Sequence, residues 1–455
     1  MKYLKISAKL CLMLLASLFA GIFLLWCVFL LPDRLTQTHA ARSAETFSYE
    51  GIGAAVGYTY ADQLDNWTDA LMIGNACYQK EDASALNHAA AAYRPDYQNG
   101  DPITSLDAYV KAAEDVGSIA YPRYWHGYLV ALRPLLMVTD YLGIRSINTV
   151  FFAVTILLLV LVIIKRKQYQ LFLPLGITIL FLRPLAIVHS LQLSTVFYPM
   201  MLSVIVCIYF QKWMCREGHF LYLFLMNGIV IAYADLLTYP VASLGVLLTV
   251  FMMIQEKTAP AEKTRQIVAG SVVWGFGYFG MWAGKWLISS IILRQNVLAD
   301  AVSQAQVRVS SSYGENHFSR VMVFMRNIGA GFIGVLVLAA VVFLLLTIFM
   351  LWRNRQSLHV RSGWRELLLC MLPYLMICLI PFAWYSVFVN HSYIHIVFTY
   401  RALAAAVCAW SGMCMVKIGD RMSTSRIFTT KSQRGTPSNI KKHFTYRSKN
   451  ENFAG

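Results

Sequence analysis

Long apolar stretches alternate with short polar links along this chain of 455 residues. Most of the stretches hold roughly 20 residues, the length with which an α-helix crosses the apolar core of a bilayer. The pattern predicts ten spanning helices, at residues 10–31, 146–164, 171–188, 193–210, 220–236, 240–254, 267–292, 328–351, 367–389 and 396–416. One long polar interval separates the first predicted span from the second.

The composition agrees with this pattern. With 58% hydrophobic residues, 14% charged residues and a mean hydropathy of +0.53, the chain is too apolar for soluble domains. We therefore expect an all-α polytopic membrane protein. The first apolar segment has no small-residue cleavage site directly after it, so an uncleaved membrane helix is expected rather than a signal peptide. All cysteines except Cys77 lie in or beside apolar segments, so the polar interval shows no disulfide framework.

The charges are distributed unevenly along the chain. Residues 32–130 hold 13 acidic and 6 basic residues, whereas the whole chain carries +16, so the remainder carries +23. Basic residues in the links between spans follow the positive-inside pattern, which differs from the basic patch of a nucleic-acid-binding protein. We expect a multi-pass cell-membrane protein with both termini in the cytoplasm, membrane lipids as partners of the basic links, and no nucleic-acid partner.

Four regions follow from these patterns. They are a cytoplasmic start with the first helix (1–31), an extracytoplasmic loop with amphipathic, interfacial helices (32–145), a bundle of about nine spanning helices (146–416) and a basic, disordered cytoplasmic tail (417–455).

Three aspartates in the polar interval are the first candidates for chemistry. In a helix, Asp62, Asp65 and Asp69 fall at i, i+3 and i+7 and share one face. The functional interpretation is a general base with a helper, Asp65 or Asp69 being the base and Asp62 a substrate contact, or a carboxylate site for a divalent cation. The structural interpretation is a solvated face, with Asp65 capping the helix that follows.

A basic stripe is predicted in the same interval. Arg123, His126 and Arg133 fall at i, i+3 and i+10, so a helix presents them together until Pro134 bends or ends it. The forked guanidinium group suits phosphate oxygens, which makes these residues candidates for binding a phosphate-bearing substrate. The alternative is that they anchor an interfacial helix to lipid headgroups.

A third group of candidates lies near the end of the chain. Asn390, His391 and His395 belong to a tight turn between the last two predicted spans, and Arg401 lies just beyond it. These groups exceed what reversing the chain requires, so they are expected to contact a bound substrate in a pH-sensitive way. Ionisable residues at membrane depth are costly and are further candidates; Arg183 and Lys285 are the clearest.

This layout resembles the GT-C superfamily of membrane glycosyltransferases over residues 1–260. The resemblance includes Tyr121-Pro122 followed by Gly143-Ile144-Arg145 ahead of the second span. The segments LDNWTDAL, YPRYWHGYLVALRPLL and WYSVFVNHSYIHIVFTYR are also similar to those of uncharacterised bacterial multi-pass proteins of Gram-positive type. One difference is that the acid directly after the first helix is Asp33 alone, whereas Asp65 and Asp69 come later.

The resemblance implies an inverting transferase. Such an enzyme moves a sugar from a polyprenyl-phosphate carrier, the lipid-linked donor, to a cell-envelope acceptor outside the membrane. Asp65 or Asp69 would deprotonate the acceptor hydroxyl, and Arg123, His126 and Arg133 would stabilise the departing phosphate. No cofactor is implied beyond the divalent cation considered above. The alternatives are a transporter or flippase with Arg183 and Lys285 in its pathway, and a non-catalytic scaffold for envelope enzymes.

Overall fold

A computed structural model describes residues 2–216, 218–255, 258–358 and 363–417. It is 77% helical, so the predicted all-α class is confirmed. Apart from Lys417, the tail expected at 417–455 lies outside the described residues.

The first helix and the polar interval contain six α-helices, one 3₁₀ turn and two short strands. In chain order they are α1 (Lys2–Phe29), α2 (Arg34–Glu50), the 3₁₀ turn (Tyr60–Asp62), α3 (Asn66–Cys77), α4 (Ala85–Ala91), β1 (Arg94–Asp96), α5 (Pro102–Val110), β2 (Gly117–Ile119) and α6 (Leu129–Val138). The strands pair in antiparallel fashion, with Arg94 opposite Ile119. Helix α3 packs against α2, α5 and α6, so this interval is a folded layer and not an extended loop.

The rest of the described chain is a helical bundle with one short hairpin. In chain order its elements are α7 (Tyr141–Arg166), a 3₁₀ turn (Tyr169–Leu171), α8 (Phe172–Phe181), α9 (Pro184–His189), α10 (Leu191–Tyr209), α11 (Gln211–Met214), α12 (Phe220–Ala234), α13 (Val241–Ile254), α14 (Pro260–Leu293), α15 (Val297–Val309), β3 (Ser312–Tyr313), β4 (Asn316–His317), α16 (Arg320–Phe332), α17 (Leu336–Leu358), α18 (Gly363–Val387), α19 (Val389–Ile394), α20 (Ile396–Thr399), a 3₁₀ turn (Tyr400–Leu403) and α21 (Ala404–Cys414).

Seven segments within the described ranges are long and apolar enough to cross a membrane, which makes this a membrane protein with several spans. They are Lys5–Phe29, Tyr141–Arg166, Leu191–Tyr209, Pro260–Leu293, Leu336–Leu358, Gly363–Val387 and Ile396–Cys414. Each overlaps a predicted span. The other three predicted spans fall on shorter apolar helices.

Two predicted spans are interrupted by residues with left-handed backbones. The span at 171–188 breaks between α8 and α9, where Arg183 has φ +61° and Pro184 starts the new helix. Proline disfavours the α conformation in the residue before it, so Arg183 cannot continue α8 easily. The span at 328–351 breaks between α16 and α17, where Gly334 has φ +74°. Glycine adopts this conformation without steric cost.

Helices α12 and α14 pack closely along their length because glycines lie at their contacts. A Cβ atom on Gly228 would lie 2.3 Å from the carbonyl oxygen of Trp274, and one on Gly277 would lie 2.6 Å from that of Leu225. Either side chain would push the two backbones apart. Helix α13 is buried on nearly every side and packs against α10, α18 and α21, which places it at the centre of the bundle.

Candidate functional site

The three aspartates do not share a helical face, so the predicted acidic stripe is wrong. Helix α3 begins at Asn66, and Asp65 is its N-cap, with a side chain that accepts hydrogen bonds from the Thr68 backbone N–H and hydroxyl at 3.3 and 2.7 Å. Asp62 belongs to the separate 3₁₀ turn before it and accepts from the N–H and hydroxyl of Thr59. The capping interpretation of Asp65 is therefore confirmed.

Asp69 is fully buried inside the protein. Its carboxylate accepts hydrogen bonds from the Tyr141 hydroxyl at 2.6 Å and from the backbone N–H groups of Leu191 and Gln192 at 2.8 and 2.9 Å, with the Ser190 hydroxyl at 3.3 Å. The two N–H groups belong to the first turn of α10, where a negative charge is favourable. Burial raises the pKa of Asp69 to about 6. These contacts occupy the carboxylate and give Asp69 a structural position.

Asp65 is the less buried of the two expected catalytic residues, since it is partly buried whereas Asp69 is fully buried. Burial raises the pKa of its carboxyl group, and hydrogen bonds from Thr68 and Gln192 act in the opposite direction. A carboxyl group with a raised pKa is a stronger base once ionised than an ordinary aspartate. Its catalytic role stays a prediction.

A largely buried ion pair contacts Asn66, the residue after Asp65. Arg145 of α7 binds Glu50 through both of its terminal nitrogens, at 2.5 and 2.9 Å, and its Nε donates to the carbonyl oxygen of His189 at 2.8 Å. The amide of Asn66, the residue after Asp65, donates to the same Glu50 carboxylate at 2.9 Å. Burial alone would raise the pKa of Glu50, but hydrogen bonds from Arg145 and Asn66 hold it below its usual value.

A second arginine approaches from the break between α8 and α9. The Nε of Arg183 lies 3.7 Å from the Asp62 carboxylate, too far for a good hydrogen bond, and is buried without another partner. Non-glycine residues in left-handed conformations often mark functional sites. We refer to the Glu50–Arg145 pair and the Asp62–Arg183 pair, together with Asp65, which precedes Asn66 and follows Asp62 by three residues, as the carboxylate–arginine cluster.

Neither Glu50 nor Arg145 was a candidate from the sequence. Glu50 is the last residue of α2, and Arg145 was noted only as part of the resemblance to GT-C proteins. An arginine in the first turns of an apolar helix was the available signal, because such a charge needs a partner. The identity of that partner, 95 residues away, had no local signal.

The predicted basic stripe is also wrong, because residues 121–128 form turns and α6 begins only at Leu129. Arg123 pairs with Asp300 of α15 at 3.2 Å. His126 is buried, bonded to the Tyr121 carbonyl and the Tyr128 hydroxyl, and burial lowers its pKa to about 3. Arg133 is fully buried and donates to the carbonyl oxygens of Ala76 and Leu31 at 2.6 and 3.0 Å. Among the described residues, no ion pair joins these three to the aspartates.

The segment expected to be a tight turn is helical, since residues 389–394 form α19. Asn390 donates to the Ser312 carbonyl, and His391 is buried against the Leu237 carbonyl. Burial lowers the pKa of His391 well below its usual value and that of His395 to about 4. Burial therefore favours the neutral form of both histidines, and their expected contact with a substrate stays a prediction.

Arg401 joins the end of the chain to the polar interval. It is fully buried and donates to the carbonyl oxygens of Val397 at 2.8 Å and Ala61 at 3.2 Å. The hydroxyl of Tyr400 donates to the same Ala61 oxygen at 2.8 Å. Asp62 is the next residue, so this pair positions one edge of the carboxylate–arginine cluster.

Lys285 joins α14 to the end of α4. It is fully buried and donates to the carbonyl oxygens of Ala89 and Ala90 at 2.9 Å each. These carbonyls lie at the end of α4, where a cation is favourable.

Within the described ranges, no group of three His, Cys, Asp or Glu side chains is close enough to hold a metal ion. The separation of the aspartates into a turn, a cap and a buried contact explains why they do not form the carboxylate cation site considered from the sequence. No protein-family model, curated protein or solved structure matches this chain.

Proposed function

We propose that this protein is a GT-C-like glycosyltransferase that moves a sugar from a polyprenyl-phosphate carrier to a cell-envelope acceptor outside the membrane. One observation carries the proposal. Asp65 is a partly buried carboxylate with a raised pKa in a folded layer joined to apolar helices; the next residue, Asn66, bonds the Glu50 carboxylate of the Glu50–Arg145 pair, and Asp62, three residues earlier, faces Arg183. Such an arrangement suits a general base at the surface of a membrane.

In the proposed reaction, the Asp65 carboxylate takes the proton of the acceptor hydroxyl. The acceptor oxygen forms a bond to the anomeric carbon of the sugar, and the bond from that carbon to the phosphate oxygen breaks. The phosphate leaves on its lipid carrier with the bonding electrons, and the anomeric configuration is inverted. Asp69 is not the base in this scheme, because its oxygens are already engaged by Tyr141 and by the first turn of α10.

Arg183 is the arginine of the cluster best suited to stabilise charge in the reaction. Arg145 is held in a two-point contact with Glu50, whereas Arg183 hydrogen-bonds the Tyr400 side chain and lies at longer distances from the Asp62 carboxylate (3.7 Å) and the Ile333 carbonyl (3.5 Å). A donor that is not saturated in the resting protein can strengthen its hydrogen bonds as negative charge develops.

The proposed arrangement in the membrane has ten spans. It adds the α8–α9 segment, α12 and α13 to the seven long apolar helices, with residues 32–145 outside and both termini in the cytoplasm. The support is the excess of acidic residues in the polar interval and of basic residues in the links.

The test is a transfer assay with the purified protein in lipid nanodiscs. Undecaprenyl-phosphate carriers of ¹⁴C-labelled glucose, galactose, mannose and N-acetylglucosamine are offered with a cell-envelope fraction as the acceptor. We expect label to move from one of these carriers to the envelope fraction, with release of undecaprenyl phosphate. No transfer from any carrier, together with no binding of undecaprenyl phosphate, would contradict the proposal.

A further inference from the structure

Arg308 of α15 is a cation with no carboxylate partner within 4 Å among the described residues. Its side chain is half-buried, one terminal nitrogen lies 3.3 Å from Nδ1 of His391, and it also hydrogen-bonds the side chain of Tyr121. Arg123, Arg145 and Arg183 each face a carboxylate instead. Taking a guanidinium out of water without a counter-charge is costly, so a bound anion would stabilise this position.

The hydrogen bonds fix the state of His391. Its Nε2 lies 2.7 Å from the Leu237 carbonyl oxygen, which can only accept, so Nε2 carries the proton. The Nδ1 atom is then an acceptor for Arg308 and adds no positive charge. This contact uses one of the five N–H groups of the guanidinium and leaves others for a ligand.

His395 supplies a second free polar group. Its ring lies 4.8 Å from that of His391 and stacks on Phe398, yet neither ring nitrogen hydrogen-bonds a described residue. The side chain is only partly buried, so it remains open to a ligand. A neutral imidazole offers one donor and one acceptor, and the donor suits an anionic oxygen.

Aromatic side chains also lie near Arg308. The guanidinium lies 5.9 Å from the ring centre of Tyr124, which Trp282 meets edge-on at 5.9 Å. The indole Nε1 of Trp282 is buried with no hydrogen-bond partner, an unusual state for this group. The aromatic wall lowers the local dielectric constant and strengthens any contact between Arg308 and an anion.

Exposed apolar residues on α15 and on the next helix in the chain support a ligand that comes from the membrane. Helix α15 exposes Leu298 and Val302, and the neighbouring helix α16 exposes Val321 and Met325. Exposed apolar residues on short amphipathic helices are typical of segments that lie at the level of lipid headgroups. A phosphate presented by a lipid would reach Arg308 at that level.

We propose that Arg308 and His395 bind the phosphate group of a lipid. The guanidinium supplies the charge and a pair of N–H donors, and the imidazole supplies a further hydrogen bond. Either a polyprenyl-phosphate carrier or a bulk anionic phospholipid presents this chemistry. The inference concerns binding alone and does not require the transfer reaction at Asp65.

The experiment measures dissociation constants of the purified full chain in detergent for three probes: farnesyl phosphate, dioleoylphosphatidylglycerol and inorganic phosphate. Arg308→Gln is compared with Arg320→Gln, a control at an exposed arginine whose Nε donates to the Ser386 carbonyl. We expect Arg308→Gln to weaken binding of at least one lipid probe by about tenfold or more, the scale for a hydrogen bond to a charged group, and Arg320→Gln to leave it unchanged.

The three probes separate the possible sources. Tighter binding of farnesyl phosphate than of the phospholipid assigns the site to the carrier, and the reverse order assigns it to bulk lipid. Inorganic phosphate binding as tightly as both lipids would overturn the lipid assignment. Equal binding of all probes by the wild type and Arg308→Gln would overturn the site itself, even if transfer at Asp65 were demonstrated.

Two further variants keep the test decisive if Arg308→Gln does not fold. Arg308→Lys retains the charge and is expected to keep part of the affinity. His395→Ala removes a ring that makes no hydrogen bond to a described residue, so it should fold and bind the lipid phosphate more weakly. Unchanged affinity in both variants would overturn the proposal.

Discussion

The hydroxyl of Tyr141 donates a hydrogen bond of 2.6 Å to the carboxylate of Asp69, and both side chains are fully buried. The same carboxylate caps the first turn of α10 through Leu191 and Gln192. Three elements far apart in the sequence, α3, α7 and α10, are joined at this one group. The adjacent Asp65 therefore has a fixed position relative to the apolar helices.

We predict that Asp69→Asn lowers stability while Asp65→Asn does not lower it to the same degree. An amide in place of the buried carboxylate would turn an NH₂ group towards donors, and leaving such groups unsatisfied costs roughly 1–3 kcal/mol each. The measurement is the thermal unfolding midpoint of each purified variant in detergent. Equal midpoints for Asp69→Asn and the wild type would show that the buried contacts contribute nothing.

A pH dependence of stability follows from the same residue. The pKa of Asp69 is raised from 3.8 to about 6 in the folded protein, so the folded state binds the proton more tightly than the unfolded state. Stability should therefore fall as the pH rises through this interval, from about 4 to about 6, and the loss should persist above it. We expect this component to be missing in Asp69→Asn, with the unfolding midpoint followed between pH 4 and pH 8. Identical pH profiles for the two proteins would contradict the assignment.

The pair of Glu50 and Arg145 should show energetic coupling. Both side chains are largely buried, and each compensates the charge of the other. Substituting either residue would therefore leave its partner's charge without compensation. In a double-mutant cycle with Glu50→Gln and Arg145→Gln, we expect a coupling of about 1 kcal/mol or more in unfolding free energy. The exposed pair of Lys111 and Asp107 provides the matched control, with a coupling near zero. Equal coupling in the two pairs would mean that the buried contact has no special weight.

The orientation in the membrane is tested by cysteine labelling. In a variant without the nine native cysteines, single cysteines replace Ser84, which is exposed at the start of α4, or Ser438, which lies outside the described residues. A thiol reagent that does not cross membranes should label intact cells only at position 84, because residues 32–145 are proposed to be external. Labelling at position 438 in intact cells would overturn the proposed orientation.

Local patterns predicted some of these features well. The sequence from Asp65 to Thr68 is an ordinary start of a helix, and the structure has the cap there. Long apolar runs were also predicted correctly to form apolar helices, because length and apolar composition are properties of each segment alone.

The parts that sequence reasoning missed depend on residues far apart in the chain. The stripes predicted at Asp62 and Arg123 required continuous α-helices, but residues 60–65 and 121–128 adopt turn and irregular conformations instead. The partner of Asp69 lies 72 residues away, and no periodicity identifies it. The lowered pKa of His395 follows from burial and from the nearby charge of Arg308, neither of which is visible before the fold is known.

The most direct test of the proposed function is the initial rate of sugar transfer by Asp65→Asn, measured beside Asp107→Asn in the same nanodiscs. Asp107 is a partly exposed aspartate whose carboxylate pairs with Lys111, so its substitution controls for the loss of one negative charge in the polar interval. We predict a decrease of about 10²-fold or more for Asp65→Asn, the usual scale for losing a general base, with a normal amount of folded protein. The rate of Asp107→Asn should stay within about twofold of the wild type, since a surface ion pair contributes little. A wild-type rate in folded Asp65→Asn would contradict the assignment of Asp65 as the base.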